Sequence, residues 1–201
     1  MTRDELLELL SKHGALVTGT HVVYTSGRHG DTYVNKDAIY PHIDAIRQVC
    51  GGFADRFRGA SVDVVAGPAI GGVVLSQWTA HHLSTPEKPV LSVYAEKTED
   101  GGLRFRRGYD RLLTGRRVLV VEDILTTGGS LAKVIAAVRE CGGEVVGAAA
   151  LCNRGGIREE QIGNPPVLHA LLELSLNSWE AGDCPLCASG VPINPNLGKG
   201  K

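Results

Sequence analysis

Residues 118–130 read VLVVEDILTTGGS, and this run sets the architecture expected of the rest of the chain. Val118, Leu119, Val120 and Val121 are uninterrupted apolar residues, the pattern of a strand covered on both faces of a parallel sheet. Glu122 and Asp123 follow at its carboxyl end, where open α/β sheets bind ligands. After Ile124 and Leu125, the residues Thr126, Thr127, Gly128, Gly129 and Ser130 lead into a helix with Leu131, Val134, Ile135 and Val138 at apolar spacing. Glycines and small hydroxyl residues there leave backbone N–H groups exposed in front of the positive end of the helix dipole. The turn therefore predicts a phosphate site. An acid pair beside a phosphate cradle calls for a ligand carrying both a phosphate and something carboxylates recognise, such as hydroxyls or a metal. A dinucleotide fold is not indicated, because no GxGxxG follows a strand and the acids precede the glycines.

Outward from this run, strands and helices alternate. Strands are expected at 62–66, 90–95 and 144–151, and helices at 72–83 and from Ser130 to Arg139. Such alternation means right-handed βαβ units: an α/β fold with a parallel-sheet core and helices on both faces. Upstream, Thr2 with Glu5 offers a capping box for a first helix carrying Leu6, Leu7, Leu9 and Leu10. Residues 15–40 read as short strands and loops, and Pro41 suits the start of a helix bearing Ile43, Ile46, Val49, Cys50 and Phe53. Beyond Arg154 the pattern breaks into short segments with Pro165-Pro166, CPLC and a glycine-lysine tail.

Composition narrows the class. At 201 residues with 43% hydrophobic content, the chain reads as a single domain with a substantial core. A formal net charge of -1 gives no basic excess, so nucleic acid is not an expected partner. MTRDELLELL carries acids where a signal peptide would be basic and then apolar, and no apolar run has the length of a membrane span. Five cysteines, an odd number without framework spacing, fit reduced thiols and a cytoplasmic location.

The acid pair, two-residue spacer and TTGGS turn resemble the signature of the type I phosphoribosyltransferases, which bind 5-phosphoribosyl-1-diphosphate (PRPP). The resemblance implies that Glu122 and Asp123 hold the ribose hydroxyls while Thr126, Thr127, Gly128, Gly129 and Ser130 wrap the 5-phosphate. It also implies magnesium, held mainly through PRPP rather than by a dedicated set of protein ligands. Residues 67–72, GPAIGG, are a second glycine-rich strand-to-helix turn. By the same resemblance, Ala69, Ile70 and Gly71 contact the pyrophosphate. Residues 26–36, SGRHGDTYVNK, are similar to a segment of orotate phosphoribosyltransferases that forms part of a hood over the base. Tyr33 and Lys36 are the base-binding candidates there, with Arg28 read as a surface charge and His29 as a turn residue. Arg154, after the last core strand, stands where those enzymes set an arginine against the orotate carboxylate; Thr126 is assigned to the base as well.

Residues 97–108 carry Lys97, Arg104, Arg106 and Arg107 among glycines, as a mobile arm able to close on a polyanion; Lys97 is counted with the catalytic groups. The resemblance implies a homodimer with this loop near the neighbouring site. On this reading the chain divides into an N-terminal helix and hood (1–40), a PRPP-binding core (41–154) and a C-terminal segment (155–201). The sequence departs from the orotate pattern at Ile70 and Gly71, at Thr25, and in a loop with a single lysine and no histidine. A purine or another pyrimidine base therefore stays open as substrate, as do a PRPP-sensing regulator and a non-catalytic assembly subunit. Cys184-Pro185-Leu186-Cys187 has zinc-knuckle spacing but no second ligand pair in sequence, and His169 is the one histidine nearby. It is read as a tight turn without metal, or else a site completed by another subunit.

Overall fold

The computed structural model describes residues 1–24 and 26–198, so Thr25 and the lysines of the tail lie outside the described residues. In chain order the elements are α1 (Arg3–Lys12), β1 (Leu16–Val23), β2 (His29–Val34), α2 (Ile43–Phe57), β3 (Val64–Pro68), α3 (Gly71–Leu83), β4 (Leu91–Lys97), β5 (Leu103–Arg104), β6 (Arg117–Leu125), α4 (Gly129–Glu140), β7 (Glu144–Asn153), β8 (Leu168–Glu173) and α5 (Pro185–Ala188). They form two compact units: Met1–Arg3 with Ile43–Leu174, and Asp4–His42 with Ser175–Lys201.

The first unit is built on a six-stranded sheet of order β5-β4-β3-β6-β7-β8, parallel except for the short β5. Val118 to Val121 of β6 are fully buried, as a strand covered on both faces requires. Alternation along the strand divides them. Val118 and Val120 join Leu131, Val134, Ile135 and Val138 of α4 in one apolar cluster. Leu119 faces the other way; its partner in register on β7 is Gly147, against which Phe57 of α2 is seated. The helices thus cover both faces, with α4 on one and α2 on the other, and each fully buried Leu or Val contributes about 1.5–3 kcal/mol.

From β3 the chain passes through α3 to β4 on one side. It then returns to β6 on the opposite side of β3 and continues outward through α4 to β7. Strand order therefore reverses between β3 and β6, and the crevice outside their carboxyl ends is the binding position that such sheets offer. The sheet is wider than the sequence pattern indicates. Residues beyond Arg154 include β8, paired in parallel with β7 from Ala148↔Leu168 to Asn153↔Glu173. This strand follows Pro165-Pro166 and is half-buried along most of its length, which leaves no long apolar run to announce it.

In the second unit β1 and β2 form an antiparallel hairpin, irregular between Thr18 and Val22. Residues after 174 are laced onto it. His29 and Trp179 exchange backbone hydrogen bonds of 2.8 and 2.9 Å, and Asn194 N–H donates to His21 O at 2.7 Å. Arg28 is a structural residue rather than a free surface charge: it donates to the Ser178 side chain at 2.7 Å and to its carbonyl at 2.6 Å, and pairs with Glu180. His29 is buried at the start of β2 rather than in a turn. The Cys184-Cys187 segment caps and enters the one-turn helix α5.

An added Cβ at Gly147 would lie 2.3 Å from Phe57 Cε1. Gly147→Ala is expected to lower stability by about 1–3 kcal/mol through overpacking. Phe57→Leu in the same chain should recover part of that loss, read from urea midpoints as a double-mutant cycle.

Candidate active site

Four segments singled out by sequence lie at the carboxyl ends of four consecutive strands. In sheet order these are Lys97 ending β4, residues 67–72 after β3, residues 122–130 ending β6, and Arg154 after β7. Pairing fixes their alignment, with Pro68 beside Ala95 and Leu125 beside Asn153.

At the centre, Glu122, Ile124, Leu125 and residues 126–131 line a cavity of about 170 Å³. That is below the roughly 300 Å³ floor of pockets for drug-sized ligands, so it is a subsite for one compact group. Thr126, Thr127 and Ser130 are exposed to it, while Gly128 is buried with φ of +73°. A side chain at Gly128 would be strained, and its Cβ would lie 2.7 Å from Ile162 Cγ2. The first amides of α4 precede any intrahelical acceptor, since Ala132 N–H makes the first bond, to Gly128 O at 2.9 Å. N–H groups, hydroxyls and the dipole end of a 12-residue helix converge on a small polar hollow, the arrangement that binds a phosphate.

Glu122 and Asp123 are buried, at 6% and 5% exposure. Backbone amides orient both: Asp123 N–H donates to Glu122 Oε1 at 3.0 Å, and Ile124 N–H to Asp123 Oδ1 at 2.6 Å. Glu122 lines the hollow, and Asp123 follows it directly at the end of β6.

Backbone proximity shapes the neighbouring turns. A Cβ on Gly67 would meet Gly72 Cα and O at 2.8 Å, so the ends of the 67–72 turn touch main chain to main chain. This leaves Ile70 projecting at 85% exposure, beyond the cis peptide between Ala69 and Ile70. On the other flank, Arg154 donates through Nε to Thr126 Oγ1 at 3.0 Å, and the amides of Arg154 and Gly155 both donate to Leu125 O. Asn153 holds this turn by bonding Ile157 N–H and C=O through its side chain. Gly155 is a residue that sequence reasoning passed over. Its Cβ would lie 1.9 Å from Thr126 O, and the double glycine after Arg154 was the available signal.

Residues 97–108 form a hairpin in which Lys97 pairs with Leu103 and Glu96 with Arg104. Leu103 and Phe105 are buried in the core cluster, Lys133 Nζ donates to Gly101 O at 2.6 Å, and Arg107 bonds Glu96 at 2.8 Å. That bond raises the guanidinium's pKa. Lys97 is exposed. Tyr33 lies half-buried on β2, and Lys36 opens the short turn Lys36–Ala38, both in the second unit. Cys152 on β7 is no nucleophile, because burial pushes its thiol up to about 12 and the thiolate is scarce at neutral pH.

A doubly wound sheet with an acid pair and two glycine-rich strand-to-helix turns at its switch point defines an α/β protein with a ligand crevice at the carboxyl edge of its sheet. The family profile described as phosphoribosyl transferase domain matches residues 35–168, and the chain belongs to this family. Within it, the chain is 39% identical over 198 residues to the orotate phosphoribosyltransferase of Pelotomaculum thermopropionicum, covering 96% of this chain and 95% of that protein. The orotate phosphoribosyltransferase of Caulobacter vibrioides is 35% identical over 195 residues, at 96% and 95% coverage. Among solved structures, Mycobacterium tuberculosis orotate phosphoribosyltransferase in complex with PRPP superposes with a TM-score of 0.65 at 28% identity, covering 86% of this chain and 96% of that one.

Gly155→Ala would drive a methyl into the Thr126 carbonyl and displace the phosphate turn. The loss of one or two charge-assisted hydrogen bonds, about 1.5–3 kcal/mol each, should weaken inorganic phosphate binding by at least about tenfold. Calorimetry reads the affinity, and an unchanged circular dichroism spectrum shows that the fold persists.

Proposed function

We propose that this protein transfers the phosphoribosyl group of PRPP to a ring nitrogen of orotate, forming the nucleoside 5′-monophosphate and pyrophosphate in pyrimidine nucleotide biosynthesis. The observation that carries this reading is the phosphate hollow at residues 126–130, set against Glu122 at the sheet's switch point in a chain closely similar to orotate enzymes.

The reaction is a displacement at ribose C1 whose transition state has oxocarbenium character, with negative charge growing on the departing pyrophosphate. Positioning and electrostatics supply the acceleration, without a covalent enzyme intermediate. Thr126, Thr127, Ser130 and the amides of Gly128 and Gly129 anchor the 5-phosphate, and that binding energy fixes C1 under the nucleophile. Glu122 and Asp123 accept hydrogen bonds from the ribose hydroxyls and lie near the developing positive charge. The 67–72 turn, with Ala69, Ile70 and Gly71, receives the pyrophosphate, and Lys97 supplies a cation to it. Arg154, held by Thr126, presents its remaining donors to the orotate carboxylate, a planar match for a guanidinium. Tyr33 and Lys36 are assigned to the base.

Glu122 and the hydroxyls of Thr126, Thr127 and Ser130 around the hollow are hard oxygen donors, which suit a cation such as magnesium. Magnesium would be held mainly through PRPP and water, with Glu122 and Asp123 as the acids of the site. When bound, the ion neutralises charge on the diphosphate. A homodimer with residues 97–108 near the neighbouring site, and a cytoplasmic location, complete the proposal. No helix among the described residues is long and apolar enough to cross a membrane.

The test is an initial-rate screen of orotate, uracil, hypoxanthine, guanine and adenine with PRPP and magnesium, following pyrophosphate. Turnover with orotate alone is expected, and turnover with any other base in its place overturns the choice. Asp123→Asn should lower kcat/KM by roughly ten- to a hundredfold, since each charge-assisted bond is worth about 1.5–3 kcal/mol. Parental rates in that variant would remove Asp123 from the mechanism.

A further inference from the structure

The second unit holds a side-chain cluster that phosphoribosyl transfer does not use. His21 on β1, His29 opening β2, and Cys184 and Cys187 around α5 each bring one ligating atom into a group whose members all lie within 4.8 Å of one another. His21, His29 and Cys184 are buried, and Cys187 is exposed. Cys187 Sγ is 3.3 Å from His29 Nδ1 and 3.7 Å from His21 Nε2, and Cys184 Sγ is 3.6 Å from His21 Nε2.

These are the separations of a tetrahedral N₂S₂ site. With Zn–S of about 2.3 Å and Zn–N of about 2.0–2.1 Å, tetrahedral angles set S···N at about 3.5–3.6 Å and N···N at about 3.3–3.4 Å. The three S···N distances agree to within a few tenths of an ångström. The His21 Nε2 to His29 Nδ1 distance is 2.8 Å, that of a hydrogen bond, so seating an ion needs an opening of about half an ångström along one edge. His21 Nδ1 lies 2.7 Å from Val191 O. Donation to that carbonyl puts the lone pair on Nε2, toward the cysteines, in the way metal-bound imidazoles are oriented.

We propose that His21, His29, Cys184 and Cys187 form a structural zinc site that fastens the C-terminal segment to the β1–β2 hairpin. Two thiolates and two imidazoles in a tetrahedron select zinc, and four protein ligands leave no open position for catalysis. The ligands come from one chain, 158–166 residues apart across the sulfur–nitrogen pairs, so the site needs no second subunit. The unit it closes is small and assembled from chain ends, the situation in which a metal replaces missing apolar core. His169, the histidine near CPLC in sequence, is instead on β8 in the first unit.

The full-length protein, expressed in zinc-supplemented medium, is expected to carry one zinc per chain by elemental mass spectrometry. After chelation, added cobalt should give the visible bands of a tetrahedral site and a near-ultraviolet thiolate-to-cobalt transition. Chelation should lower Tm by roughly 5 °C or more. Cys184→Ser combined with Cys187→Ser should retain less than about a tenth of the parental zinc, whereas Cys141→Ser, outside the cluster, should retain it all. Should the double variant fail to fold, the cobalt spectrum of the parental chain decides alone. Zinc-free parental protein with no thiolate–cobalt band, full zinc in the double variant, or a Cys184–Cys187 disulfide in the purified chain would each overturn the proposal.

Discussion

Close backbone packing at the sheet's switch point is the constraint on which the site depends. Gly67 touches Gly72 across one strand-to-helix turn, and Gly155 lies against the Thr126 carbonyl beside the other. Neither place has room for a Cβ. Side chains there would push the turns outward, and the amides of α4 would no longer converge with Glu122 on one hollow. The sheet supplies the rigid base for this crowding, because β6 is clamped by α4 on one face and by the layer containing Phe57 on the other.

Much of this was legible in the chain. A four-residue apolar run, acids at its end and a helical repeat after the glycines located β6 and α4 to within a residue or two, because burial on both faces leaves a pattern that solvent-facing strands do not. The alternation also gave β3, β4 and β7.

What escaped the sequence was non-local. β8 is short, half-buried and preceded by prolines, so only its pairing with β7 defines it. Gly155 matters through a contact with Thr126, a residue distant in the chain. The gathering of His21 and His29 around the CPLC segment was hidden for the same reason. Spacing rules look for ligand pairs along a helix or knuckle, whereas two strands of a hairpin bring residues eight positions apart together by register. Residues 97–108 read as an open arm because of their glycines and charges. Leu103 and Phe105, the two apolar residues among them, fold its return limb into the core.

Asn153 carries a longer-term consequence. Its carboxamide both gives and receives: Nδ2 donates to Ile157 O at 2.9 Å and toward Glu173 Oε1 at 3.3 Å, while Oδ1 accepts from Ile157 N–H at 3.0 Å. Hydrolysis of that amide during storage would turn its donating end into a carboxylate facing a carbonyl and another acid. The turn bearing Arg154 would loosen by chemical ageing of a single atom, with no change to any residue that meets the substrate.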